Sequence, residues 1–185
     1  MRALLIIDVQ NDYCRGGAIG VPEGDLVVPV INRIMSKFDL VIASRDWHPE
    51  DSVHFTKLPP HCIRKTFGSE YHPELDTSRL QLELLKGTRD SDDGYSAFEA
   101  TNVNLGAFLR QKKVDTLFIS GLITEHCIKN TVIDAIDYGF KTFVVTDAVR
   151  GLNREPGEPQ KSLDEMRHAG AHFILSEEIP DASCD

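Results

Sequence analysis

Six short, nearly continuous apolar runs, at 3–7, 40–43, 82–85, 116–120, 142–146 and 172–175, punctuate this 185-residue chain. A strand with one wet face alternates apolar with polar residues, whereas a strand covered on both faces reads as an unbroken apolar run. Between the runs lie helix-like stretches at 26–38, 105–112, 125–138 and 160–168. In the third, Ile128, Val132, Ala135 and Ile136 form one apolar stripe, and Gly139 follows as a helix stop. Repeated strand–helix units build parallel sheets with helices on both faces. The expected fold is therefore α/β: a three-layer αβα domain around a central, mostly parallel sheet of about six strands. The length suits one domain over 1–185, able to bury roughly 70% of its unfolded surface. Residues 156–159, Pro-Gly-Glu-Pro, should stop regular structure before the last helix, and the acidic tail from about 177 should fray.

In open parallel sheets, ligand crevices form at the carboxyl ends of the strands. Polar residues that end apolar runs are therefore candidates for chemistry, and three stand out: Asp8 after Leu5-Ile6-Ile7, Lys86 after Leu84-Leu85, and Cys127. The last lies in Ser120-Gly121-Leu122-Ile123-Thr124-Glu125-His126-Cys127, at a strand-to-helix turn. A helix start there should favour thiolate over thiol, and a nearby cation would favour it further. Taken singly, Cys127 reads as a small buried hydrophobe, Asp8 as a turn cap and Lys86 as a solvated side chain. Their coincidence at strand ends argues for a Cys-Asp-Lys site. The segment Gly16-Gly17-Ala18-Ile19-Gly20 is not a dinucleotide fingerprint, and no G-K-[ST] phosphate loop occurs.

Residues 45–74 break the strand–helix rhythm, with four prolines and, beyond Trp47-His48, three of the seven histidines. Connections this long in a compact domain are usually functional. Asp46 and His48, two residues apart, point to the same side of an extended backbone. His54 and His61 can be brought round by a curling loop, with His72 a rival for the last position. One carboxylate with imidazoles suits one divalent ion of the Zn, Mn or Fe type better than Ca²⁺. Histidines beside prolines also occur on surfaces with no ligand role.

At this point the chain resembles a family. The segments Asp8-Val9-Gln10-Asn11-Asp12-Tyr13, Arg45-Asp46-Trp47-His48, Pro59-Pro60-His61-Cys62, Lys86-Gly87, Asp93-Gly94-Tyr95-Ser96-Ala97-Phe98 and Gly121-Leu122-Ile123-Thr124-Glu125-His126-Cys127 occur in order over nearly the whole length. Together they resemble the nicotinamidase/pyrazinamidase group of isochorismatase-like cysteine hydrolases. The resemblance implies hydrolysis of nicotinamide to nicotinate and ammonia through a cysteine thioester, feeding NAD salvage. It makes Cys127 the nucleophile, Asp8 the proton acceptor and Lys86 the cation beside the thiol. It implies a cis peptide before Ile123 and an oxyanion hole made by the backbone N–H groups of Ile123 and Cys127. It places a divalent metal on Asp46, His48, His54 and His61, and substrate contacts at Tyr13, Leu58 and Tyr95. Two positions depart from the usual pattern: Leu58 stands where Trp is common, and Lys65 where Gly is usual. An amidase of the same superfamily acting on a carbamoyl amine, and a noncatalytic binding module, are the competing functions.

The formal net charge of −9 opposes nonspecific binding to nucleic acid or an anionic membrane and makes a neutral or cationic substrate easier to accommodate; the resemblance makes the expected partner a small-molecule amide, nicotinamide. A homo-oligomer is compatible with these features. The four cysteines show no C-x-x-C pairing and the chain no signal peptide or long apolar span, so the expected compartment is a reducing cytoplasm.

Overall fold

The computed structural model describes residues 1–181. Six strands, β1 (Arg2–Ile7), β2 (Leu40–Asp46), β3 (Leu82–Lys86), β4 (Thr116–Leu122), β5 (Lys141–Arg150) and β6 (His172–Ile174), form one parallel sheet in the order β3-β2-β1-β4-β5-β6. The pleat sends alternate residues of β1 to opposite faces. Leu4 and Ile6 join one core with Val27, Val28, Ile31 and Ile34 of helix α1 (Val27–Ile34). Ala3, Leu5 and Ile7 join the other core, where α2 (Leu105–Gln111), α3 (Lys129–Asp137) and α4 (Glu158–Ala169) supply Leu105, Leu109, Val132, Ala135 and Met166. Every β1 residue from Ala3 to Ile7 is fully buried, which is why the run carries no polar alternation. Burial of each such Leu or Ile contributes about 1.5–3 kcal/mol.

The expected α/β architecture and all six strands are present, with several differences in extent. β5 continues to Arg150 because Ala148 and Val149 remain buried beyond Thr146. The first helical stretch divides into a 3₁₀ turn, Gly24–Leu26, then α1, then a second turn, Met35–Lys37. The third begins as a π-helical turn, Thr124–Ile128, before α3, and Gly139 closes it at φ 87°. α4 starts at Glu158 and takes Pro159 into its first turn, where the missing N–H would be unpaired in any case. Fraying from 177 is not observed over the described residues: Ile179 is buried, and its carbonyl accepts from Lys37 Nζ at 2.6 Å. Residues 182–185, including Cys184, lie outside the described residues.

The strand order turns back at β1/β4, since the chain leaves β1 toward β2 and β3 and then crosses to β4. A crevice opens at such a switch point beyond the carboxyl ends of the strands. Gly121, at φ 109°, lets β4 approach β1 there: a Cβ would lie 2.1 Å from the Ile7 carbonyl oxygen.

Candidate active site

Asp8, Asp46, Lys86 and Cys127 leave the carboxyl ends of β1, β2, β3 and β4 and meet in one buried cluster. Lys86 is completely buried, so the solvated alternative is excluded. Its Nζ lies 2.6 Å from Asp46 Oδ1, 2.7 Å from Asp8 Oδ2 and 3.4 Å from Cys127 Sγ, and donates to the Gly94 carbonyl at 3.0 Å. Burial alone would lower the ammonium pKa, but Asp46 and Asp8 hold it well above the ordinary value. Ser44 donates to Asp8 Oδ1 at 2.7 Å. The contact of Asp8 Oδ2 with Lys86 is close but outside hydrogen-bond geometry, and this buried oxygen has no hydrogen-bond partner. A carboxylate oxygen of Asp8 and the Cys127 sulfur belong to one group of atoms within 4.8 Å of one another.

These surroundings separate the two carboxylates. Burial raises Asp8 to about 6, against the opposing pull of Lys86 and with a further push from Asp46. Asp46 is also buried, yet Lys86 first and His48 next hold it well below the usual carboxylate range. The Cys127 thiol is pushed well up by burial, opposed by Lys86 and reinforced by Asp8 and Asp46. This corrects the expectation of a resting thiolate. The thiol sits beside two acids in a dry environment, so a proton acceptor is required, and a carboxylate oxygen of Asp8 within 4.8 Å of the sulfur is placed to serve.

Asp46 also faces the imidazoles. The separation of two residues puts His48 Nε2 3.9 Å from Asp46 Oδ2, and Asp46, His48 and His61 offer ligand atoms within 4.8 Å of one another. His48 Nδ1 lies 2.9 Å from the Gly87 carbonyl and His61 Nδ1 2.8 Å from that of Pro59, so each ring can donate there and present Nε2. The ring of His54 lies 4.6 Å from that of His48, centroid to centroid. His48 Nε2 and His54 Nε2 are both buried without a hydrogen-bond partner. Such orphaned nitrogens are costly unless something accepts their lone pairs, and with a carboxylate they form a donor set that fits a divalent transition ion. Burial lowers His48 to about 4 and lowers His61 too, keeping these two rings neutral as ligands must be. His72 stands apart, its backbone N–H on Val9 and its Nδ1 accepting from the Glu74 N–H at 3.3 Å.

A cavity of about 550 Å³ opens on this centre, lined by Cys127, Ile123, Asp46, His54 and His61, and by Tyr13, Leu58 and Tyr95. Asp8, Lys86 and His48 are buried behind the lining. The Leu122–Ile123 peptide is cis. Tyr13 does more than offer a ring face: its hydroxyl donates to Asp46 Oδ2, and its ring packs 5.6 Å from His61. Lys65 adopts φ 65°, the left-handed conformation that explains why glycine suits that position.

Three supporting residues carried no separate signal in the sequence. Ser44 lies inside an apolar strand. Gln10 locks the end of β2, its amide donating to the Asp46 carbonyl at 2.8 Å and accepting from the Asp46 N–H at 2.8 Å. Buried Glu125 accepts from the N–H groups of Leu152 at 3.2 Å and Asn153 at 2.8 Å, tying the segment after β5 to the turn that carries Cys127. Cys14, Cys62 and Cys127 are free thiols, and no helix among the described residues is long and apolar enough to cross a membrane.

A thiol, a carboxyl group and an ammonium packed at a sheet switch point, with a carboxylate–imidazole group alongside, define an α/β enzyme of the metal-associated amidohydrolase class. The chain belongs to the isochorismatase family, whose Isochorismatase domain model matches residues 2–178. The nicotinamidase of Escherichia coli (strain K12) is 38% identical, with 92% of each chain covered. Among solved structures, the pyrazinamidase of Pyrococcus horikoshii in complex with zinc superposes with a TM-score of 0.85 at 34% identity, covering 94% of this chain and 98% of that one. PnC1 of L. infantum in complex with nicotinate gives 0.89 at 28% identity, covering 96% and 93%.

Proposed function

We propose that this protein hydrolyses nicotinamide, and pyrazinamide as an analogue, to the carboxylate and ammonia. The observation that carries the proposal is the meeting of Cys127, on the cavity wall, with Asp8 and Lys86 behind it, beside the ligand atoms of Asp46, His48 and His61 and the unpartnered Nε2 of His54. The zinc and nicotinate described for the two structural relatives support it.

Asp8 takes the Cys127 proton, and the sulfur attacks the carboxamide carbon. Lys86 stabilises the thiolate as it forms, so the high resting pKa of the thiol is overcome at the moment of attack rather than beforehand. The tetrahedral oxyanion is held by the N–H groups of Ile123 and Cys127; losing one such donor typically costs about 3–4 kcal/mol. Asp8 then returns its proton to the departing nitrogen, and the C–N bond breaks to give ammonia and a Cys127 thioester. Water attacks the thioester carbon while Asp8 accepts one of its protons; the C–S bond breaks, Asp8 passes that proton to the sulfur to restore the thiol, and the acid leaves as nicotinate with its remaining proton lost to solvent. A divalent ion held by Asp46, His48, His54 and His61 would supply Lewis acidity and an orienting charge beside the thiol. Tyr13, Leu58 and Tyr95 position the ring, with an aliphatic wall at Leu58 in place of an aromatic one.

The test is ammonia release from nicotinamide by protein of measured metal content, with Cys127→Ala alongside. Release by the wild type and none by the variant, with metal content unchanged, is expected. Retained hydrolysis in Cys127→Ala would overturn the thioester route, and inactive metal-replete wild type would overturn the substrate.

A further inference from the structure

The loop 87–94 leaves β3 and returns to its own starting point. Gly87 and Gly94 both have positive φ, and a Cβ on Gly94 would lie 2.2 Å from the Gly87 nitrogen, so the two ends of the loop touch. The base is held from below, where Lys86 Nζ donates to the Gly94 carbonyl at 3.0 Å. It is held at the side by Glu99, whose Oε2 accepts from the Gly94 and Ser96 N–H groups at 3.1 and 2.9 Å. From this base Asp92 reaches out with both oxygens engaged. Oδ2 lies 2.5 Å from Lys57 Nζ, and Oδ1 accepts from the Tyr95 hydroxyl at 2.7 Å.

Those two partners belong to the walls of the cavity. Lys57 closes the 3₁₀ turn Val53–Thr56, its N–H on the His54 carbonyl at 3.1 Å, and precedes Leu58. The Tyr95 ring lies 5.1 Å from that of His54. Lys57, Leu58 and Tyr95 all line the cavity. One carboxylate therefore ties the imidazole-bearing segment to the segment carrying Tyr95.

We propose that Asp92 is a positioning residue for the reaction described above, a latch that holds Lys57 and Tyr95 together so that the ring-binding wall is complete. The inference rests on that reaction for its effect on KM. The latch is exposed, with side-chain accessibilities of 56% for Lys57 and 47% for Asp92, so water and salt compete with it and it can open for a substrate to pass. The hydrogen bonds and ion pair of Asp92 go to Lys57 and Tyr95 and none to Cys127, Asp8 or the donor set, so opening the latch acts on how well the ring is held rather than on the chemical step.

The experiment compares Asp92→Asn, Lys57→Met and the double variant. Each single change is expected to raise KM for nicotinamide by roughly two- to five-fold with kcat retained, the range of an exposed ion pair, and the double variant should add nothing further. Nicotinamide is neutral, so salt does not act by steering it. About 1 M salt, where screening extends over roughly 3 Å, should bring wild-type KM up to that of Asp92→Asn and leave the variant unchanged. Additive effects, a salt-insensitive wild type, or a fall in kcat at constant KM would overturn the latch. A second readout needs no turnover: alkylation of Cys127 by iodoacetamide, resolved by peptide mass, should be faster in Asp92→Asn, with salt accelerating only the wild type. Equal rates would overturn the latch even if nicotinamide proved not to be a substrate, whereas inactivity of the wild type with these rate differences intact would count against the substrate alone.

Discussion

Replacing Lys86 by Met tests the buried cluster through its charge. Met matches the unbranched Lys stem, so packing is largely kept while the cation between Asp8 and Asp46 is lost. Breaking a buried ion pair from one side typically costs about 3–5 kcal/mol, a large part of the roughly 5–15 kcal/mol that stabilises a domain. The dependence on pH separates charge from packing. In the wild type, the folded pKa of Asp8 is raised to about 6, above its unfolded value, so Asp8 favours the fold at low pH and that contribution is lost as pH rises through 6. Above pH 6 its contribution is flat. Without Lys86, which lowers Asp8, the two facing carboxylates share a proton to higher pH, while the unfolded chain has already released it near pH 4. The folded state then binds one more proton than the unfolded state between pH 6 and 8, and stability falls by about 1.4 kcal/mol per unit. Urea unfolding at pH 6, 7 and 8, with chelator in both samples, should show the gap from wild type widening by roughly 2–3 kcal/mol over that range. His48, lowered to about 4, titrates below this window. A deficit that does not change with pH would refute the electrostatic account and reduce Lys86 to a packing residue.

Removing the hydroxyl of Ser44 in Ser44→Ala takes away a hydrogen bond that lowers Asp8, so the acid limb of kcat/KM should move to higher pH by up to about one unit, as read from a pH–rate profile. An unmoved limb would remove Asp8 as the group controlling it. Gly87→Ala should weaken zinc binding by about 10- to 100-fold in a competitive chelator titration, the usual effect of disturbing a ligand's outer partner. Its Cβ would lie 2.5 Å from His48 Cε1, at a φ of 61° that disfavours any side chain. Wild-type affinity in that variant would mean that His48 does not bind the ion.

Much of the fold was legible because burial on both faces leaves an unbroken apolar run, and each of the six runs became a strand. Their ends were less legible: β5 continues past the half-buried, mixed sequence Thr146-Asp147 to Ala148 and Val149, whose burial only the assembled structure shows. The prolines misled in one place, since Pro159 reads as a stop but fits the first turn of α4. Chemical identity at the strand ends was visible because Asp8, Lys86 and Cys127 interrupt apolar patterns. The roles of Ser44, Gln10 and Glu125 were not, because a hydroxyl, an amide or a carboxylate has no signature until its partner is known.

The sequence by itself pointed to a layered parallel sheet and marked thiol, carboxylate, ammonium and imidazole groups near the ends of its strands as candidates for one site. Only the tertiary structure decided how those charges settle: that Lys86 is dry and shared by two acids, that Asp8 is raised while Asp46 is lowered, and that the thiol rests protonated. The division follows from physics. Hydrophobic periodicity is local and is written along the chain, whereas a pKa depends on desolvation and on charges from four different strands, set by distances that exist only after the sheet has assembled.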